Sequence, residues 1–255
     1  MSVAALTVVL YIFIFLFGIV IGSFLNVCIY RIPLKESIVF PHSHCMTCGY
    51  QLRWYDLVPL FSFLFLRGRC RKCHTKLSLQ YPLVEGMNGA LYVIVFLANG
   101  WNYMSVVYCL LTSALIVLSV LDFRTMEIAD GINLFILLLG IAATLLDLHA
   151  WKDHVIGMFS VSVFLLVIYL VTVGRGIGGG DIKLMFGAGL LLGWKGAVLA
   201  FFLGCIIGSV VHLIRMAVSH AEHRLAMGPY LSVGIWLTAL WGTPVIDWYI
   251  GMIIH

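Results

Sequence analysis

The chain carries only eleven carboxylates in 255 residues, and two of them stand where they could do chemistry. Asp122 follows an apolar run that ends at Leu121, and Asp181 closes the glycine-rich run Gly176-Ile177-Gly178-Gly179-Gly180-Asp181 just before another apolar run. An ionised group at the edge of lipid is costly, so each is a functional candidate. Carboxylates that meet across two helices can share one proton, one serving as base for a water and the other as acid toward a carbonyl. The alternative for the same residues is two independent interfacial charges, with Asp181 capping a helix. The glycines before Asp181 allow close backbone approach and positive φ, and leave room for an extended peptide along the main chain. A helix starting there favours an anion. A phosphate-cradling loop would need G-x-G-x-x-G after a strand, an order absent here. Glu36, Asp56, Asp147, Asp153, Glu222 and Asp247 read as solvated surface charges, which leaves Glu85, Glu127 and Asp130 beside the two candidates at helix ends.

Four of the seven cysteines form a second constellation, Cys45-Met46-Thr47-Cys48 and Cys70-Arg71-Lys72-Cys73, with 21 residues between the pairs. Each C-x-x-C turn aims two thiolates at one point. Two such turns make a closed tetrahedral site for a structural Zn²⁺, with no open position for water. The basic neighbours Arg69, Arg71 and Lys72 are expected to lower the thiol pKa values. Two disulfides, a redox-active C-x-x-C and loop cysteines without function are the competing readings, and a reducing compartment argues against the disulfides. His42, His44 and His74 are near enough in sequence to replace a cysteine. Cys28, Cys109 and Cys205 lie in apolar runs, where cysteine behaves as a small hydrophobe.

The elements that must position these residues use lipid as their solvent. The chain is 62% hydrophobic and 10% charged, against about 25% charged in a soluble domain, and its mean hydropathy is +1.08. The pattern predicts an all-α polytopic membrane protein with about eight transmembrane helices, given the ~20 residues needed to cross a bilayer core. They fall near Val3 to Tyr30, Pro82 to Ala98, Tyr103 to Leu121, Gly131 to Leu148, Val155 to Val173, Ile182 to Gly193, Gly196 to Ile214 and Gly228 to Ile250. The first lacks a basic n-region and exceeds the length of a signal h-region, so it is expected to be retained. Of the fifteen Lys and Arg residues only Lys152 and Lys195 fall on one side, while Arg67, Arg224 and the others fall on the opposite one. Positive loops stay in the cytoplasm, which places the basic side and both aspartates there and both termini, with His255, outside. The net charge of +4 follows from this placement and calls for no nucleic-acid partner. The whole chain, 1–255, reads as a single membrane domain, with residues 31–81 inserted as a small zinc-binding cytoplasmic loop between the first two helices.

These blocks carry a family resemblance. Gly22-Ser23-Phe24-Leu25-Asn26-Val27 with Arg31 and Pro33, the two C-x-x-C pairs, Tyr81-Pro82-Leu83-Val84-Glu85, and Asp122 with Gly178-Gly179-Gly180-Asp181-Ile182-Lys183-Leu184 occur in this order from Gly22 to Trp194. In that order the chain resembles the type IV prepilin peptidases, membrane aspartic proteases of the G-x-G-D type. The resemblance implies that Asp122 and Asp181 are the catalytic pair, with Gly178, Gly180 and Lys183 supporting the loop. It implies cleavage of a prepilin or pseudopilin leader on the cytoplasmic side, after a glycine, at the inner membrane. It further implies N-methylation of the new N-terminus with S-adenosylmethionine. The family often has Pro where this chain has Ala129, which weakens a role for the turn from Glu127 to Asp130. Arg31 and Glu85, at helix mouths, would either meet the cofactor's carboxylate and amine or pair with each other. Two rivals come from other classes: an ion- or proton-coupled transporter, whose sites lie nearer the midplane, and a non-catalytic pilus or secretion assembly scaffold. Shortening of a prepilin peptide by purified protein separates the three.

Overall fold

Long uncharged stretches set the helices. The helix α1 (Val3–Arg31) runs 29 residues with its only charge at the last one. After a polar loop come α2 (Phe61–Phe65), α3 (Gln80–Asn99), α4 (Tyr103–Thr125), α5 (Asp130–Leu146), α6 (Trp151–Val171), α7 (Gly179–Ser219) and α8 (Gly228–Ile254). The computed structural model describes residues 3–40, 42–219 and 226–254, so the charge placements at Glu222, Arg224 and His255 fall outside the described residues. Among the described residues there is no strand, only the isolated antiparallel bridges His44–Gln51 and Arg69–Lys76.

Each expected apolar segment coincides with a helix or with one half of α7, which breaks at Gly193 (φ 73, ψ 173) where the sequence placed a turn. Among the described residues five helices, α1, α3, α4, α6 and α7, are long and apolar enough to cross a membrane, and α5 is a shorter apolar helix.

The fold forms two compact units, Met1–Leu97 and Ala98–His255. In the first, α1 and α3 meet through small residues, as helices in lipid do when packing replaces the hydrophobic drive. A Cβ on Gly18 would lie 2.7 Å from Gly89 Cα, and one on Gly22 would lie 2.7 Å from Glu85 Cα. The Asn88 amide donates to Gly18 O at 2.7 Å, and the Asn26 amide to Tyr81 O at 3.2 Å. The two blocks Gly22 to Val27 and Tyr81 to Glu85 are therefore two sides of one helix contact.

In the second unit α4 is the most enclosed of the spanning candidates, with 67% of its apolar window buried against 22 to 28% for α6 and α7. Leu111, Leu118 and Leu121 are fully buried on it. Asn102 starts α4 by accepting the Ser105 N–H on its side chain at 2.8 Å, as an N-cap does. Met126 ends it in the left-handed region (φ 55), its N–H closing on Asp122 O at 2.9 Å. α4 packs against α5 and α8, and α7 packs against α5, α6 and α8.

Candidate functional site

Asp122 lies in the last turn of α4 and is 5% exposed. Its Oδ2 accepts the Gly228 N–H at 2.8 Å, a donor at the start of α8, where helix N-terminal N–H groups have no intrahelical partner. A Cβ on Gly228 would sit 2.6 Å from that same oxygen, so glycine alone lets the backbone come this close. Pro229 follows, at a first-turn position where the missing N–H costs nothing.

Asp181 lies in the first turn of α7 and is 8% exposed. Its N–H donates to Gly178 O at 3.1 Å, while its Oδ1 is buried with no protein donor. Two buried carboxylates thus stand at the end of α4 and the start of α7, one held by a backbone N–H and the other with an open oxygen.

The glycines before Asp181 work through close approach only. None from Gly176 to Gly180 has positive φ, so the left-handed freedom that these glycines allow is not used. A Cβ on Gly180 would lie 2.8 Å from Ile128 Cβ, and one on Gly178 would lie 3.1 Å from Asp181 Oδ2. The turn from Glu127 to Asp130, given little weight from sequence, thus packs against the glycine loop. Lys183 Nζ and Asp130 Oδ1 pair at 2.6 Å on the surface, tying the starts of α5 and α7 together.

In the first unit the four thiols of Cys45, Cys48, Cys70 and Cys73 come together, all sulfurs within 4.8 Å of one another, a group that could hold a metal ion. No histidine joins them among the described residues. The two knuckles repeat one hydrogen-bond pattern. Cys45 N–H donates to Tyr50 O and Gly49 N–H to Cys45 O, while Cys70 N–H donates to Thr75 O and His74 N–H to Cys70 O. Gly49 and His74 hold the same left-handed position, at φ 67 and φ 55.

The thiol acidities follow hydrogen bonds and not basic neighbours. The Thr75 hydroxyl, 3.4 Å from Cys73 Sγ, and the Thr75 backbone N–H lower Cys73 to about 6. Cys45 is lowered by the backbone N–H groups of Cys48 and Thr47. At Cys48 the Tyr50 N–H pulls down, but desolvation and the three other thiols outweigh it and push the thiol up to about 11. Arg71 is engaged elsewhere, pairing with Asp56 at 2.7 Å and lying 4.9 Å over the Tyr55 ring. Asp56, expected to be a solvated surface charge, is buried and links the segment after the first knuckle to the second. Glu85 does not pair with Arg31. Its Oε2 accepts the Leu60 N–H at 2.8 Å, and Arg31 donates to Ser37 O at 2.9 Å.

Sequence reasoning missed Gly228 and Asn133. The Gly-Pro step opening an apolar run was the available signal for the first. For the second it was a polar side chain inside an apolar helix.

The family model described as Bacterial Peptidase A24 N-terminal domain matches residues 16–99, and the model described as Type IV leader peptidase family matches residues 109–213. Similar proteins include the prepilin leader peptidase/N-methyltransferase of Aeromonas salmonicida (strain A449), 31% identical over 94% of this chain and 94% of its own length. The protein of that name from Bacillus subtilis (strain 168) is 34% identical over 93% of this chain and 97% of its own. The one from Neisseria gonorrhoeae is 31% identical over 86% of each. No solved structure matches the chain. Both family models and these near full-length relatives agree, and the chain belongs to the type IV leader peptidase family.

Proposed function

We propose that this protein removes the leader from type IV prepilins or pseudopilins with Asp122 and Asp181, and then methylates the exposed N-terminus. The relatives' shared name, prepilin leader peptidase/N-methyltransferase, supports both activities. The observation that carries the first is the pair of buried carboxylates on α4 and α7, one accepting Gly228 N–H and the other offering an oxygen without a protein donor. One carboxylate takes a proton from the water as it attacks the scissile carbonyl, and its partner, protonated, donates to the carbonyl oxygen. Collapse of the tetrahedral intermediate expels the amine, which takes up a proton and leaves as the new N-terminus. Cleavage occurs on the cytoplasmic side of the inner membrane, just after a glycine. The helices cross eight times, counting the halves of α7 separately, with both termini outside.

The four-thiol cluster holds structural zinc. Tetrahedral Zn–S bonds of about 2.3 Å set the sulfurs about 3.8 Å apart, and Cys45 Sγ and Cys73 Sγ are 3.8 Å apart.

For the second activity the fit of S-adenosylmethionine rests on one cleft of about 430 Å³ between the end of α1 and the polar loop, lined by Phe24, Arg31, Gln51, Trp54 and others. Its size lies within the roughly 300–1,000 Å³ of small-ligand sites. Arg31 suits the cofactor's carboxylate and the Trp54 and Phe24 rings suit its adenine. The cofactor supplies an electrophilic methyl group. Incubation of the purified protein with a prepilin peptide tests both activities together. The peptide should be shortened, and mass analysis should find one added methyl on the new N-terminus only when S-adenosylmethionine is supplied. An intact peptide would reject the peptidase.

A further inference from the structure

Beside Asp181, between α5 and α7, lies a cleft of about 370 Å³. Its walls are Leu134 and Leu137 from α5 and Ile182 and Phe186 from α7, and its rim carries the Asp130–Lys183 pair. Ile182 and Lys183 directly follow Asp181 in sequence, so the lining of the cleft on α7 begins one residue beyond the aspartate. Asn133 also lines it and is 5% exposed. The Asn133 amide nitrogen donates to Gly180 O at 3.4 Å, which fixes which way its oxygen points. That oxygen, Asn133 Oδ1, is buried without a protein donor, as is Asp181 Oδ1.

A buried acceptor without a donor is unfavourable, and in a folded protein it calls for an explanation. An acyl chain would fill the apolar walls and leave Asn133 Oδ1 unsatisfied. An extended peptide answers both features, because it points an N–H to one side and alternate side chains to the walls. We propose that this cleft binds the substrate chain in extended form next to the scissile bond, with one substrate backbone N–H donated to Asn133 Oδ1 and one apolar side chain held against Leu134, Leu137 and Phe186. The identity of the peptide rests on the peptidase reading.

Two measurements on the full-length protein in detergent test it. In the first, each backbone amide of a synthetic prepilin peptide is N-methylated in turn. At one position the wild-type kcat/KM should fall about two- to tenfold, the range of one neutral hydrogen bond. In Asn133→Ala the same methylation should cost nothing further, while other positions keep their wild-type ratios. Because each ratio is taken within one enzyme, any general loosening of the Gly180 loop cancels. Identical ratios at every position in both enzymes would overturn the proposal. In the second, Leu134→Cys is alkylated with a maleimide and read by mass mapping at that position. Saturating peptide should slow the labelling at least tenfold, and an unchanged rate would overturn the proposal whatever the cleavage result. Peptide that protects this position yet is never cut would instead reject the peptidase reading and leave the cleft standing.

Discussion

Gly228→Ala should disable the site from 106 residues away in sequence. The added Cβ would lie 2.6 Å from Asp122 Oδ2, 3.0 Å from Asp122 Cγ and 3.0 Å from Leu118 Cδ2. Leu118 is fully buried, so the carboxylate is the part that can give way, and its rotation breaks the 2.8 Å bond from Gly228 N–H. A hydrogen bond to a charged group contributes about 1.5–3 kcal/mol. At about 1.36 kcal/mol per factor of ten, kcat/KM should fall about 10- to 150-fold if that bond holds the carboxylate in the transition state. Gly228 has no positive φ, so alanine adds no backbone strain and the loss should appear without a large fall in Tm. Gly179→Ala is the matched control, since a Cβ there meets nothing within 4 Å. The assay is peptide cleavage by purified, folded variants. Activity of Gly228→Ala within threefold of wild type would refute the claim that this N–H holds Asp122.

Asp122→Asn and Asp181→Asn should each abolish cleavage while membrane insertion persists, and the double variant should be no worse than either, because a catalytic unit is non-additive. Asp247→Asn, on an exposed residue, should leave turnover unchanged. Purified protein should contain about one zinc, reduced by Cys45→Ser. Cys73 has a lowered folded value, about 6, so its contribution to the loop is present above the unfolded thiol range and is lost as pH falls through about 6. Zinc needs thiolates, so it should be released on acidification, as read by metal analysis of dialysed protein. His74→Gly should strengthen the loop by about 1 kcal/mol and Gly49→Ala weaken it by a similar amount, since left-handed backbone is penalised by roughly that much in residues with a Cβ. Resistance to chelator-induced proteolysis measures both.

Helices and thiols were legible because both signals are local. An apolar run of some twenty residues has few alternatives in lipid, and a C-x-x-C turn carries its own geometry. Even the break in α7 was readable, from the Gly193-Trp194-Lys195 step between two apolar runs. What was hidden depended on partners distant in sequence. Asp56 looked like a solvated loop charge until Arg71, fifteen residues on, was placed against it. Glu85 offered itself to Arg31 by charge alone, yet the nearer donor is the backbone N–H of Leu60. Basic residues beside the thiols suggested their acidity, while the groups responsible are a threonine hydroxyl and backbone N–H groups. Charge is visible in a sequence, and the direction of an N–H is not.

The glycine run shows the same division within three consecutive residues. From sequence Gly178, Gly179 and Gly180 are interchangeable, and flexibility is the obvious reason for all three. In place, none uses the left-handed region, and their surroundings differ: Gly180 faces the Ile128 side chain, Gly178 faces the Asp181 carboxylate, and Gly179 faces nothing within 4 Å. Gly180 lets the turn between α4 and α5 press against the start of α7, and its carbonyl receives the Asn133 amide. Gly178 keeps space beside Asp181 Oδ2 and receives the Asp181 N–H on its carbonyl. The run is thus a packing device that sets the turn between α4 and α5 against the start of α7, beside a carboxylate. Gly228 does for Asp122 what Gly178 does for Asp181: in both cases a missing side chain lets backbone reach an acid that lipid would otherwise disfavour.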